Sequence, residues 1–361
     1  MREAMNLLQL FAEAGTLVNS TAGYVNAHEG TKEAFSGANT LNEELKTFYD
    51  TELLENARAE MFYAQFGKKQ PLPAGHGRTV QWRKWNTFQK APQLQEGVIP
   101  TGQKFGISAK TGTVNQYGTY AAITDVLEMR AYDPIILGAT EEMGASAAET
   151  QETLIRDALL VNPNVMYCDN VNLATGEITG LTPTGCGEME ATGEVMSLLT
   201  PDSVARAVTF LKKNRVPTIG GKYYAVIHPS VAYDLRRSKD WIEAHKYAAT
   251  GEIFNGEIGE LHNCRFIENV FAPVLGGEYV NKAGTLTYAT YFFGKDAFGI
   301  VDPEGGALEM IVKDKSQVGG PLNQFSTVGY KLETNGATVL YPERMLRVMS
   351  CSSFSGSDEE N

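Results

Sequence analysis

The run DPIILGATEEMGASAAETQETLIRDALLVNP, residues 133 to 163, constrains the chain most. Asp133 has N-cap chemistry, Pro134 suits the first helical position, and Asn162-Pro163 ends the pattern. The spacing predicts one helix over 133–161, roughly 28 residues or about 42 Å long. Its middle, GASAA at 144–148, is built of small residues that allow close packing against a sheet or a second helix.

What precedes this helix is extended. TVQWRKWNTF, from Thr79, is rich in β-branched and aromatic residues, and TGTVNQYGTYAAITDV follows at 111–126. Between them lies a Pro/Gly-rich connection holding Pro92 and Pro100, so residues 77–124 read as a long hairpin-like excursion. Along 79–88 one side carries Val80, Trp82, Lys84, Asn86 and Phe88, and the other Thr79, Gln81, Arg83, Trp85 and Thr87. Neither side is cleanly apolar, which suits a projecting arm covered by another subunit. Upstream, residues 1–39 form a low-complexity arm. Residues 40–76 hold a helix with capping-box spacing at Thr40 and Glu43, an apolar face through Leu45, Phe48, Leu53 and Met61, and a stop at Gly67.

Downstream, 164–199 is turn-rich with short strands. Thr200 and Pro201 open a helix that closes on Lys212 and Lys213. KYYAVIHP reads as a buried strand followed by a helical region from Ser230. GEIGELHNCRFIENV and TYATYFFGKDAFGIV supply strands, and YKLETNGATVLYPERMLRVM alternates around the tight-turn pair Asn335-Gly336. CSSFSGSDEEN, 351–361, reads as a loose acidic tail. The fold class expected is α+β with mixed sheets.

A net charge of −12 argues against general affinity for DNA or anionic membrane. The start of the chain has no signal-peptide core, no run spans a bilayer, and the four cysteines form no CxxC pair, so a reducing cytoplasm is expected. His262 and Cys264, joined by His228 or His245, are the only metal-ligand candidates, without ligand spacing; a strand would place 262 and 264 on one face. The chain has no GxSxG elbow, and the glycines of PAGHGRT lie between a helix and a strand, the wrong order for a phosphate loop. No catalytic, cofactor-binding or metal-binding residue is assigned, and no cofactor is expected.

One stretch runs against the acidic average. GHGRTVQWRKWNTFQK, residues 75–90, carries Arg78, Arg83, Lys84 and Lys90 with Trp82 and Trp85 and no acid. A single-strand platform aligns its aromatics on one face. Trp82 and Trp85 are three apart, so a strand sends them to opposite sides. Both tryptophans and the four cations therefore read as subunit-interface anchors, with burial in the subunit's own core as the alternative. Replacing Trp82 with Ala is expected, on this reading, to leave a folded subunit that assembles poorly.

The order of elements resembles the major capsid proteins of tailed bacteriophages, closest to the N4-like phage family. LKTFYDTELLENARAEMFYAQFG with TVQWRKW, AYDPIILGATEEMGASAAETQETLIRDALL, YYAVIHPSVAYDLRRSKDWIEA with GEIGELHNCRFIENV, and GYKLETNGATVLYPERMLRV carry the resemblance across most of 40–350. MNLLQLFAEAG resembles an N-terminal leader of phage structural proteins, with Met5 an alternative start. The resemblance implies the tailed-phage capsid (Johnson) fold: an arm at 1–39, an extended loop at 77–124, a peripheral domain at 125–199 with its spine helix at 133–161, an axial domain at 200–334, and a return to the peripheral domain at 335–350. It implies a non-enzymatic shell subunit forming hexamers and pentamers around double-stranded DNA, found in the virion and assembled in the host bacterial cytoplasm. Its implied partners are its own copies and portal, scaffolding and decoration proteins, with no sequence-specific DNA contact and no membrane. No local motif supports the Lys–Asn cross-linking of some relatives. An encapsulin-like compartment shell shares the fold, and a metal-dependent or hydrolytic enzyme using His228, His262 and Cys264 is the alternative from another class.

Overall fold

The computed structural model describes residues 62–73, 77–85, 90–91, 93, 102–104, 106–130, 135–179, 182–238, 241, 257–303, 308–318, 322–354 and 358–361. The expected arm at 1–39, the helix from Thr40 as far as Met61 and the Asp133-Pro134 cap lie outside these residues.

The long helix is present, from Ile135 to Leu159, and it lies against two sheets. Helices α1 (Tyr63–Phe66) and α2 (Asp125–Arg130) precede it, making it α3. Along its first half, Ala147 and the partly buried Ile135, Ile136, Ala139 and Met143 cover a three-stranded antiparallel sheet. That sheet is ordered β14 (Leu308–Lys313), β15 (Phe325–Thr334), β4 (Asn115–Thr124). Gly144, Ala147 and Ala148 are buried there, the close approach that small side chains permit. Tyr330 on β15 reaches Ser146 and Thr150 through its hydroxyl, 3.2 Å from each. Along its last turns, Ile155 and Leu159 pack with Tyr291 and Phe293 of the larger sheet, with Tyr63 of α1 and with Phe298.

That larger sheet has the order β5 (Val165–Tyr167), β17 (Met345–Ser350), β12 (Thr287–Phe293), β8 (Tyr223–Ile227), β10 (Cys264–Glu268), β9 (Glu257–Leu261), with the short β11 (Val274–Leu275) beside β12. Its central strands are buried on both faces, so their sequences are continuous apolar runs. Every residue of TYATYFF in β12 is buried. Along β8, Tyr223, Ala225 and Ile227 face one layer and Val226 the other. Helices α4 (Pro201–Lys213) and α5 (Pro229–Arg237) cover the first layer with Val204, Ala207, Val208, Leu211, Val231, Ala232 and Leu235. Thr200 caps α4 as expected, its hydroxyl accepting from the Ser203 amide at 3.2 Å.

The remaining strands are β1 (Lys68–Leu72), β2 (Thr79–Trp85), β3 (Ile107–Thr113), β6 (Asn170–Asn172), β7 (Val195–Ser197), β13 (Phe298–Pro303) and β16 (Thr338–Val339). Gly67 ends α1, as expected, and passes the chain to β1. β1 and β16 flank β13, β2 pairs β3, and β6 pairs β7.

Several expectations are corrected. The run 111–126 is not one strand: β3 completes the excursion and β4 joins β15 instead. The strands around Asn335-Gly336 are not a hairpin, since β15 and β17 sit in different sheets. Gly336 turns with φ +62°, and a Cβ there would lie 2.8 Å from the Leu154 carbonyl oxygen of α3, an approach open only to glycine. Strands 308–334 belong with β4 and α3, while 345–350 enters the large sheet between β5 and β12.

The tail is not loose where it is described. Cys351 and Ser352 are buried. Asp234 accepts from the Ser352 hydroxyl at 2.9 Å, the Ser353 amide at 2.8 Å and the Ser353 hydroxyl. Asp358 accepts from Ser230 at 2.6 Å and Tyr288 at 2.5 Å. The Asn361 side chain takes a bond from Arg156 at 2.7 Å and from the Val274 amide at 3.0 Å. Composition suggested looseness because these residues are polar; each has a specific buried partner far away in sequence. Deleting 352–361 is expected to lower subunit stability by about 2 kcal/mol, the net value of a few such bonds. An unchanged denaturation midpoint would show that the strap contributes nothing.

Candidate assembly interface

The basic stretch forms β2, held antiparallel to β3 with Trp82 opposite Lys110 and Trp85 opposite Ile107. Thr79, Gln81 and Arg83 are exposed, whereas Val80 and Trp82 are buried. One face is therefore apolar at the base of the hairpin, contrary to the expectation of two mixed faces. Val80 and Trp82 pack with Val114, Val301 and Leu340, and Leu72 and Tyr341 lie at the edge. The indole rests on two glycines: a Cβ at Gly112 would meet its ring at 2.8 Å, and one at Gly299 also at 2.8 Å. Trp82 is thus packed within its own chain, where a subunit interface was expected. The cavity that receives it is built from residues near 300 and 340, invisible from the stretch itself.

The cations separate into two groups. Lys84, half-buried, bonds Glu343 at 2.5 Å and lies 4.6 Å from the centre of the Tyr341 ring. Arg344 lies over the same ring at 3.8 Å, so Tyr341 has two cations within cation–π range. Burial opposes ionisation of Glu343, but Lys84 and Arg344 outweigh it and hold the carboxyl below its ordinary range. Arg78 is exposed and donates to the Asn115 side chain at 2.9 Å. Arg83 and Lys90 are exposed. Lys84 therefore has an acidic partner in its own subunit, where a neighbouring copy was expected. Sequence reasoning missed Lys68, Lys110, Tyr341 and Glu343, which complete this cluster; the YPER run offered a signal only in its alternating charge and aromatic.

The catalytic candidates do not converge. His262 and Asn263, with φ of 51° and 71°, form the two-residue turn between β9 and β10. His262 is exposed and Cys264 buried, so they do not share a strand face. His228 caps α5, its Nδ1 accepting from the Ser230 amide at 3.3 Å, and burial depresses its basicity against the opposing pull of Asp358. Burial also pushes the Cys264 thiol well up and the Cys168 thiol to about 12, which leaves both as poor nucleophiles. Among the described residues no three His, Cys, Asp or Glu side chains gather as a metal site, and no helix is long and apolar enough to cross a membrane.

Residues 108–347 match the family model of the phage capsid protein. The chain belongs to the phage capsid protein family. No curated protein matches it in sequence. Among solved structures, the cyanophage Pam1 capsid is 12% identical with a TM-score of 0.59, covering 91% of this chain and 98% of that one. The cyanophage P-SCSP1u capsid is 15% identical with a TM-score of 0.57, covering 81% and 89%. The encapsulin SrpI of Synechococcus elongatus is 11% identical with a TM-score of 0.50, covering 83% and 90%. At these identities the likeness is one of fold, the α+β architecture of tailed-phage capsids. The capsid subunit is a shell-forming structural protein. β2 and β3 form its two-stranded hairpin, and α3 is the helix that bridges its two main sheets.

Proposed function

We propose that this capsid subunit is the major shell protein of an N4-like tailed phage, assembling as hexamers and pentamers around double-stranded DNA in the host bacterial cytoplasm and remaining in the virion. Portal, scaffolding and decoration proteins are its further partners. The α3 layer with β4, β14 and β15 is the peripheral part, and the large sheet with α4 and α5 the axial part. The extended loop, 77–124, is built on the β2–β3 hairpin, and with the arm at 1–39 it reaches adjoining copies. One observation supports this most: a two-stranded hairpin bolted at its base by Trp82 but carrying Arg78, Arg83 and Lys90 exposed, without pairing to a third strand among the described residues. Such an element gains order from a neighbour.

Expression followed by electron microscopy tests the reading. Closed shells that package double-stranded DNA support it, and particles that hold a protein cargo favour the encapsulin alternative, which the SrpI likeness keeps in view. Paired Arg78→Glu and Arg83→Glu changes are expected to leave the unfolding midpoint unchanged and to cut particle yield at least tenfold. Normal assembly by that variant removes these cations from the interface.

A further inference from the structure

The cations around β2 border a cleft of about 270 Å³. Lys68, Arg83, Lys84 and Lys110 line it, with Trp82 and Tyr341 among its apolar walls. Of the four, Lys84 meets Glu343; among the described residues, no carboxylate pairs with the other three. Four cations converging on one concavity raise a strong local positive field in a chain of net charge −12. The strands that border it are also edges: among the described residues β1 pairs only with β13, and β2 only with β3. An edge strand offers unpaired backbone groups to an extended segment.

We propose that this cleft is a docking site for an extended, carboxylate-bearing segment of a second copy of the chain. The proposal rests on the shell reading above and deepens it by giving the interface cations a partner and a place. Three features favour a carboxylate over a phosphate backbone. One of its lining cations, Lys84, already pairs with a carboxylate, that of Glu343. Trp82 is 7% exposed and has no free face on which a base could stack. The cations surround a single pocket and do not follow a track, whereas nucleic-acid binding follows the strand with successive contacts. A second copy is the partner that charge selects, since every copy carries a surplus of acid.

The test uses particles assembled from equal parts of isotopically light and heavy chains, treated with a zero-length carbodiimide and read by mass spectrometry. The expected result is mixed light–heavy cross-links from Lys68 or Lys110 to an Asp or Glu. The Lys68→Glu, Lys110→Glu double variant is expected to lose these links and to assemble at least tenfold less, with its unfolding midpoint retained. Particles that show only same-chain links at these lysines overturn the proposal while leaving the shell reading standing. The absence of any particle in the microscope overturns both. If nuclease treatment of DNA-filled particles is needed before Lys68 and Lys110 accept an amine-reactive label, the cleft belongs to nucleic acid and the proposal fails.

Discussion

Replacing Trp82 with alanine is expected to lower subunit stability by about 4 kcal/mol, the usual cost of emptying a buried aromatic site. Its ring is 7% exposed, enclosed by Val80, Val114, Val301 and Leu340, and seated on Gly112 and Gly299. None of these neighbours can readily move into the vacated volume, because four of them sit in paired strands or beside them and two lack side chains. The buried indole N–H finds no acceptor among the described residues, so the loss is one of packing and not of a hydrogen bond. Trp82→Phe should therefore recover more than half of the deficit. Denaturant unfolding of the dissociated subunit reads both variants. A Trp82→Ala subunit as stable as the parent, defective only in assembly, would return Trp82 to the interface and refute the core assignment.

Glu152→Ala is the second large effect, about 3 kcal/mol, because it strips an acceptor from several buried donors at once. Glu152 is fully buried on α3. Its carboxylate accepts from the Tyr63 amide at 3.0 and 3.2 Å and from Asn269 Nδ2 at 3.1 Å, with the Phe62 and Ala64 amides also directed at it. It fastens the start of α1 to the long helix. Arg156, one turn on, turns instead to Asp157 and Asn361, and Tyr63 places in the same region a ring whose hydroxyl has no partner among the described residues. Burial raises the Glu152 carboxyl from about 4.5 to about 7 in spite of the hydrogen bonds that favour its ionised form. The folded state thus holds this proton more tightly than the unfolded chain does. The stabilisation from proton uptake is complete below about pH 4.5 and is lost as pH rises through about 7. Glu152→Gln keeps an acceptor oxygen without the charge. Relative to that variant, the parent should gain stability as pH falls from 7 to 4.5; a pH-independent difference would show that burial does not govern this carboxyl.

What the sequence disclosed was local. The long helix was legible because its stop and its stripe of small residues lie within one window, and the α4 start because Thr200-Pro201 is self-contained chemistry. Strand existence was mostly legible, but partners were not. β1, KKQPL, reads as no strand at all, since two lysines and a proline fit only an edge, and edge status depends on β13 more than two hundred residues on. The continuous run at 111–126 conceals a change of sheet at Val114 and takes in the first two residues of α2. The basic stretch was recognised as exceptional, yet the assignment of Trp82 required knowing that Gly112 and Gly299 leave room for a ring. The acidic tail failed for the same reason: polarity predicts exposure unless distant donors and acceptors are waiting.

β17 lies between β5 and β12, and about 180 residues of chain separate it from its β5 partner. On a ribosome adding about 5–20 residues per second, β5 and its layer wait roughly 10–40 s for the strand that separates them from β12. The large sheet cannot close until β17 has emerged. A growing chain therefore has no finished surface to offer a shell, and the timing of synthesis itself withholds incomplete subunits from the lattice.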